Sequence, residues 1–135
     1  LAALRLGWGY CSAEVAGVVN RVRGAFNVNA PAQAAGVAAL SDTDFLKRTI
    51  DMTTTGRKYL AENIGALGYR VLPSVGNFLL IEFGENAEKI RLGLKDKGIF
   101  IRQMGAYNLP RHLRVTVGTA DDNARLVNEL KKLKG

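Results

Sequence analysis

The stretch Tyr69–Phe83, "YRVLPSVGNFLLIEF", decides the fold class, because the hydrophobic period changes there from helical to extended. "YRVLPS" and "NFLLIEF" are short β-rich runs on either side of Pro73–Gly76. Pro presets one turn angle and Gly permits the left-handed values of a tight turn, so the two runs read as strands flanking a turn.

Upstream, Leu46, Ile50, Thr53, Leu60, Ile64 and Leu67 recur at near-helical spacing and predict one long helix. "SDTDF" supplies its start, with Ser41 and Asp44 spaced for a reciprocal cap. The helix centre, "TTTG", is poor in helix formers and predicts a bend or break near Gly56. Downstream, "NAEKIRLGLKDKG" is a helix stopped by Gly98, and "IFIRQM" and "HLRVTVG" are strands around the irregular loop "GAYNLPR". A last helix starts at Thr119, with Asp122 three residues on, and buries Val127, Leu130 and Leu133. Residues 42–135 therefore read helix, strand, strand, helix, strand, strand, helix. The expected class is α/β, with a small domain of α+β type in which helices lie on one sheet.

Residues 1–41 do not continue that series. "LAALRLGWGY" reads as a strand around Arg5, with Gly7 and Gly9 inviting a close backbone approach. Ser12 caps a helix whose Val15, Val18, Val19 and Val22 share one face and which Gly24 ends. Asn29 and Pro31 start an Ala-rich helix suited to tight packing. These pieces read as the edge of a second domain, and the abrupt apolar opening reads as the middle of a longer protein.

Composition narrows the function classes. Of 135 residues, 47% are hydrophobic and 23% charged, and no apolar run approaches the ~20 residues that span a bilayer, so no membrane role is expected. Nineteen Lys and Arg against twelve Asp and Glu give +7. The basic residues are scattered apart from "KKLK", and no RNA-binding or zinc-finger pattern accompanies them, so nucleic acid is not the expected partner. One Cys and one His exclude an internal disulfide and a Cys/His metal cluster. Cys11 reads as a small core residue, His112 as a surface residue beside a strand, and residence as cytoplasmic.

Two arginines stand out. Alternation in "HLRVTVG" puts Leu113, Val115 and Val117 on one face and Arg114 with Thr116 on the other. Arg102 lies near the end of "IFIRQM", twelve residues earlier, which allows neighbouring strands to present both guanidinium forks to one carboxylate or phosphate. Two solvated surface arginines would show the same pattern. Arg5, bracketed by leucines, is either one half of a structural ion pair or a ligand for an anion. Asn77 follows the turn and either aims its amide at a ligand or serves the turn itself. Tyr107 sits in the loop beside both arginine strands. No nucleophile–base pair and no phosphate-cradling loop occurs. On the residues alone, a non-catalytic basic module with an anion site fits as well as an enzyme.

"LAALRLGWGY", "NRVRGAFNVNAPAQAAGVAAL", "LGYRVLPSVGNFLLIEF", "KGIFIRQMGAYNLPRHLRVTVGT" and "DDNARLVNEL", in this order, resemble the C-terminal part of the histidinol-phosphate aminotransferase family. The resemblance implies a fold type I pyridoxal-phosphate (PLP) enzyme. Residues 1–41 would be the end of its large cofactor-binding domain and residues 42–135 its small substrate-closing domain. It implies that the lysine forming the Schiff base with PLP lies upstream of Leu1, so that this chain alone carries no catalytic residue. It further implies that Arg5 holds the cofactor phosphate and that Arg102, Arg114 and Asn77 face the substrates, a phosphorylated amino alcohol and a dicarboxylate, in a homodimeric enzyme of histidine biosynthesis. Ala3, where the family has Gly, and Ala25, where Pro is common, depart from the pattern without removing a charge. Relatives acting on aromatic amino acids or threonine phosphate share much of it.

Overall fold

The computed structural model describes residues 1–134. Its elements run α1 (Ala13–Val22), α2 (Ala30–Ser41), α3 (Thr43–Ala66), β1 (Arg70–Val71), β2 (Phe78–Glu82), α4 (Ala87–Asp96), β3 (Arg102–Gln103), β4 (His112–Thr116) and α5 (Ala120–Lys134). The chain falls into two compact units, Leu1–Lys47 and a second from Arg48 onward.

In the second unit the strands form one antiparallel sheet of order β1-β2-β4-β3. Leu79 and Ile81 of β2 and Leu113 and Val115 of β4 share one face and are nearly fully buried. They join Leu60 and Ile64 of α3, Ile90 and Leu94 of α4 and Leu126, Val127 and Leu130 of α5 in one core. The three helices thus cover one face of the sheet. Each such side chain contributes about 1.5–3 kcal/mol of hydrophobic stabilisation. A one-residue slip of β2 against β4 would turn the whole apolar set outward, so burial itself holds the register.

Helix ends follow the local signals. Asp122 N–H donates to Thr119 Oγ1 at 3.2 Å and Thr119 N–H to Asp122 Oδ2 at 3.3 Å, the reciprocal cap expected for α5. At the end of α4, Gly98 takes a left-handed φ of 72°. Gly98 N–H then donates to the Lys95 carbonyl and Ile99 N–H to the Leu94 carbonyl. The strand expected over "IFIRQM" shrinks to Arg102–Gln103, and the amide of its first expected residue, Ile99, closes α4 instead.

Several expectations are corrected. α3 runs unbroken through Gly56, which is buried, and a Cβ there would lie 2.6 Å from Val117 Cγ1 and 2.7 Å from Asn123 Nδ2. Glycine serves close packing there, not a bend. Ser41 is the last residue of α2, its hydroxyl donating to the Val37 carbonyl, and Asp42 Oδ1 accepts from Phe45 N–H at 2.9 Å in place of the expected Ser41–Asp44 cap.

The first unit carries α1, capped by Ser12, and α2, whose Asn29 Oδ1 accepts from Ala32 N–H at 2.9 Å. The expected opening strand is instead a 3-10 turn at Ala2–Leu4. A strand needs a neighbour to share its ladder, and the described residues of this unit hold no other strand. Nothing lies within 4 Å of where a Cβ would stand at Gly7 or Gly9, so neither answers a close approach. Only Ala32 is buried in this unit, and Cys11 is exposed, not a core residue.

Candidate anion-binding site

The two arginines singled out on alternating strands meet directly. Arg102 of β3 is the Cα partner of Arg114 of β4, so both side chains leave the sheet on the same face, away from the helices. Like charges directly opposite each other destabilise a sheet. No carboxylate pairs with either arginine among the described residues. An aromatic ring lies beneath each guanidinium instead: Arg114 Cζ is 5.2 Å from the centroid of Phe78 and Arg102 Cζ 5.9 Å from that of Tyr107.

Backbone chemistry sets these positions. Phe78, Leu80 and Glu82 of β2 register with Thr116, Arg114 and His112 of β4, and all six stand on the outer face. Tyr107 is brought back toward β3 by the 3-10 turn Gly105–Tyr107, which ends on Asn108 with a left-handed φ of 58°. Asn tolerates that conformation better than most residues. Arg114 is half-buried, and its Nε is sealed from solvent without a hydrogen-bond partner; so is Nδ1 of His112. Each unmet buried polar group costs on the order of 1–3 kcal/mol. His112 is the first residue of β4, paired with Glu82 and half-buried, not a surface residue beside the strand.

Asn77 lies at the entrance to β2. Its carbonyl accepts from Val117 N–H at 2.9 Å, extending the ladder by one step, while the residue itself is exposed. The preceding turn is clamped by Arg57 of α3, whose Nη1 donates to the carbonyls of Gly76 at 2.8 Å and Val75 at 3.3 Å. Arg57 escaped sequence reasoning because nothing local marks which helix residue reaches a turn 18 positions away. Phe78 escaped it too, although its alternation with the inward-facing Leu79 of the same strand carried the signal. Cavities of about 490 and 600 Å3 open beside α3, and neither has Arg102 or Arg114 in its lining. The arginine pair lies on the outer sheet face and not in either cavity.

The chain matches the profile of "Aminotransferase class I and II" over residues 1–130. It belongs to that family. Histidinol-phosphate aminotransferases of Hyphomonas neptunium and Rhodospirillum centenum are 44% identical over 133 residues and 49% identical over 121 residues. The alignments cover 97% and 87% of this chain but 36% and 33% of those proteins, so the chain spans about a third of its curated relatives' length. The crystal structure of histidinol-phosphate aminotransferase from Sinorhizobium meliloti in complex with pyridoxal-5'-phosphate superimposes with a TM-score of 0.74 at 27% identity, over 90% of this chain and 34% of that one.

For a class I and II aminotransferase, the donor set matters as well as the fold. Arg5 is exposed, not buried, in a left-handed conformation with φ 61°, and its Nη1 donates to the Ala2 carbonyl at 3.0 Å. It has no acidic partner among the described residues, and its remaining N–H groups suit a phosphate. That chemistry fits a cofactor phosphate. Every lysine is exposed and lies on a helix or at its end, and no His/Cys/Asp/Glu cluster suited to a metal occurs among the described residues. No helix of the described residues is long and apolar enough to cross a membrane.

Proposed function

We propose that this chain is the C-terminal part of a PLP-dependent histidinol-phosphate aminotransferase, which moves an amino group between histidinol phosphate and 2-oxoglutarate. The observation that carries the reading is the Arg102–Arg114 pair, two opposed cations on one sheet face with neither ion-paired to a carboxylate among the described residues. Identity of 44–49% to proteins of that name, over about a third of their length, supports it. In this reading residues 1–41 close the large domain, residues 42–135 form the small one, and the complete enzyme is a cytoplasmic homodimer.

Each residue has a defined task. Arg114 and Arg102 grip the phosphate of histidinol phosphate in one half-reaction and the distal carboxylate of 2-oxoglutarate in the other. Both ends offer several oxygens to a planar fork. Asn77, at the edge of the same strand pair, lines the substrate side. Arg5 holds the cofactor phosphate, and PLP when bound supplies the electron sink for amino-group transfer. Guanidinium groups stay protonated, so these arginines bind and orient and move no proton. Proton transfer falls to a lysine that this chain does not carry.

The test has two arms. In the complete enzyme, Arg114→Ala keeps the cofactor and raises KM for histidinol phosphate by roughly 10- to 100-fold, the loss of a charge-assisted contact. An unchanged KM removes the site. This chain alone, mixed with PLP and an amino donor, releases no keto acid; steady release would show that it is an enzyme by itself.

A further inference from the structure

Phe78 and Tyr107 belong to none of the roles above, yet each lies beneath one of the two guanidinium groups. We infer that the two rings form an aromatic bracket that positions Arg102 and Arg114 for a dianionic group, and that Phe78 is the principal positioning residue. The inference rests on the anion-site reading and deepens it.

Four observations converge. Arg114 sits directly opposite Arg102, so the two cations repel and, without a restraint, would swing apart into solvent. No carboxylate holds either one among the described residues, which leaves the rings as the attractive partners. The Nε of Arg114 is buried and unpartnered, so that edge of the fork is closed to water and the terminal nitrogens are the atoms left for a ligand. Phe78 and Arg114 are diagonal neighbours on the outer face of β2 and β4, two residue pairs apart in register, so the sheet places the ring beside the guanidinium.

The bracket also explains why aromatic and not acidic residues stand there. A carboxylate would neutralise the arginines and compete with the incoming anion, whereas a ring face attracts a cation while leaving its N–H edge free. At 5.2 Å, Phe78 holds the half-buried Arg114 on the central strand; at 5.9 Å, Tyr107 holds the exposed Arg102 at the sheet edge. The inner contact is the tighter one.

The experiment measures, in the complete enzyme, the kcat/KM ratio for histidinol phosphate over unphosphorylated histidinol. Phe78→Leu lowers that ratio roughly three- to ten-fold, with the loss in KM for the phosphorylated substrate, and Phe78→Trp restores it. Tyr107→Ala acts in the same direction more weakly and Tyr107→Phe does not. A defect of folding alone would lower activity on both substrates together and leave the ratio unmoved. If Arg114→Ala lowers the ratio and Phe78→Leu leaves it unchanged, the bracket is wrong and the anion site stands. If Arg114→Ala also leaves it unchanged, the anion site itself fails.

Discussion

Gly56 and Gly65 stand on the same helix and answer to opposite physics. Alanine at either position gains up to about 1 kcal/mol of helix propensity over glycine. At Gly65 nothing lies within 4 Å of the new methyl group, so Gly65→Ala raises the melting temperature. At Gly56 the methyl group would press on Val117 and on Asn123, both buried, and overpacking costs about 1–3 kcal/mol. Gly56→Ala therefore lowers the melting temperature; a rise would show that α3 is not held against β4 and α5 as described. Asn123 matters for a related reason. Its Oδ1 accepts from Gly118 N–H at 3.0 Å and its Nδ2 donates to the Gly118 carbonyl at 3.1 Å, fixing the exit of β4 to the first turn of α5. Asn123→Ala leaves both backbone groups unmet and destabilises by on the order of 2 kcal/mol in denaturant titration.

Helices α4 and α5 each carry a pH-sensitive ion pair. The hydrogen bond from Arg91, reinforced by its charge, holds the Glu88 carboxyl below its ordinary value of 4.5. Lys132 does the same for Glu129, with help from the charges of Lys97 and Arg125. A carboxyl depressed in the folded state contributes stability that is present above its unfolded value and lost as pH falls through the folded one. The melting temperature should therefore drop as pH is taken below about 4.5. The double variant Glu88→Gln, Glu129→Gln should flatten that part of the profile, and high salt should shrink it, because these pairs are exposed and screened. No such flattening would mean that the pairs are not formed in solution.

Apolar surface is unevenly covered over the molecule. In the unit Leu1–Lys47, Val15, Val18, Val19 and Val22 are all exposed, and Trp8, Tyr10 and Phe26 are almost wholly so. A stripe of this kind stabilises a helix only when something lies on it. Amide exchange in the isolated chain should therefore be fast across α1 and slow at Leu79, Ile81, Leu113 and Val115, where the sheet is buried. Trp8 is the single tryptophan, so its fluorescence reports this directly. Emission like that of free tryptophan, open to acrylamide quenching, is expected, and a blue-shifted, protected signal would show that the first unit is covered.

What the sequence determined by itself was whatever depends on a few neighbouring residues. Ser12, Asn29, Thr119 and Asp122 cap helices because a side-chain oxygen three residues from an orphan N–H needs no distant partner. Leu113 and Val115 face inward and Arg114 outward because a strand alternates with period two. The tertiary structure decided what depends on partners far along the chain. Arg102 meets Arg114 because strand register brings them opposite, and Gly56 is small because Val117 and Asn123 come against it. The 3-10 turn at Ala2–Leu4 has the same cause in reverse: an apolar run becomes a strand only where another strand supplies the ladder.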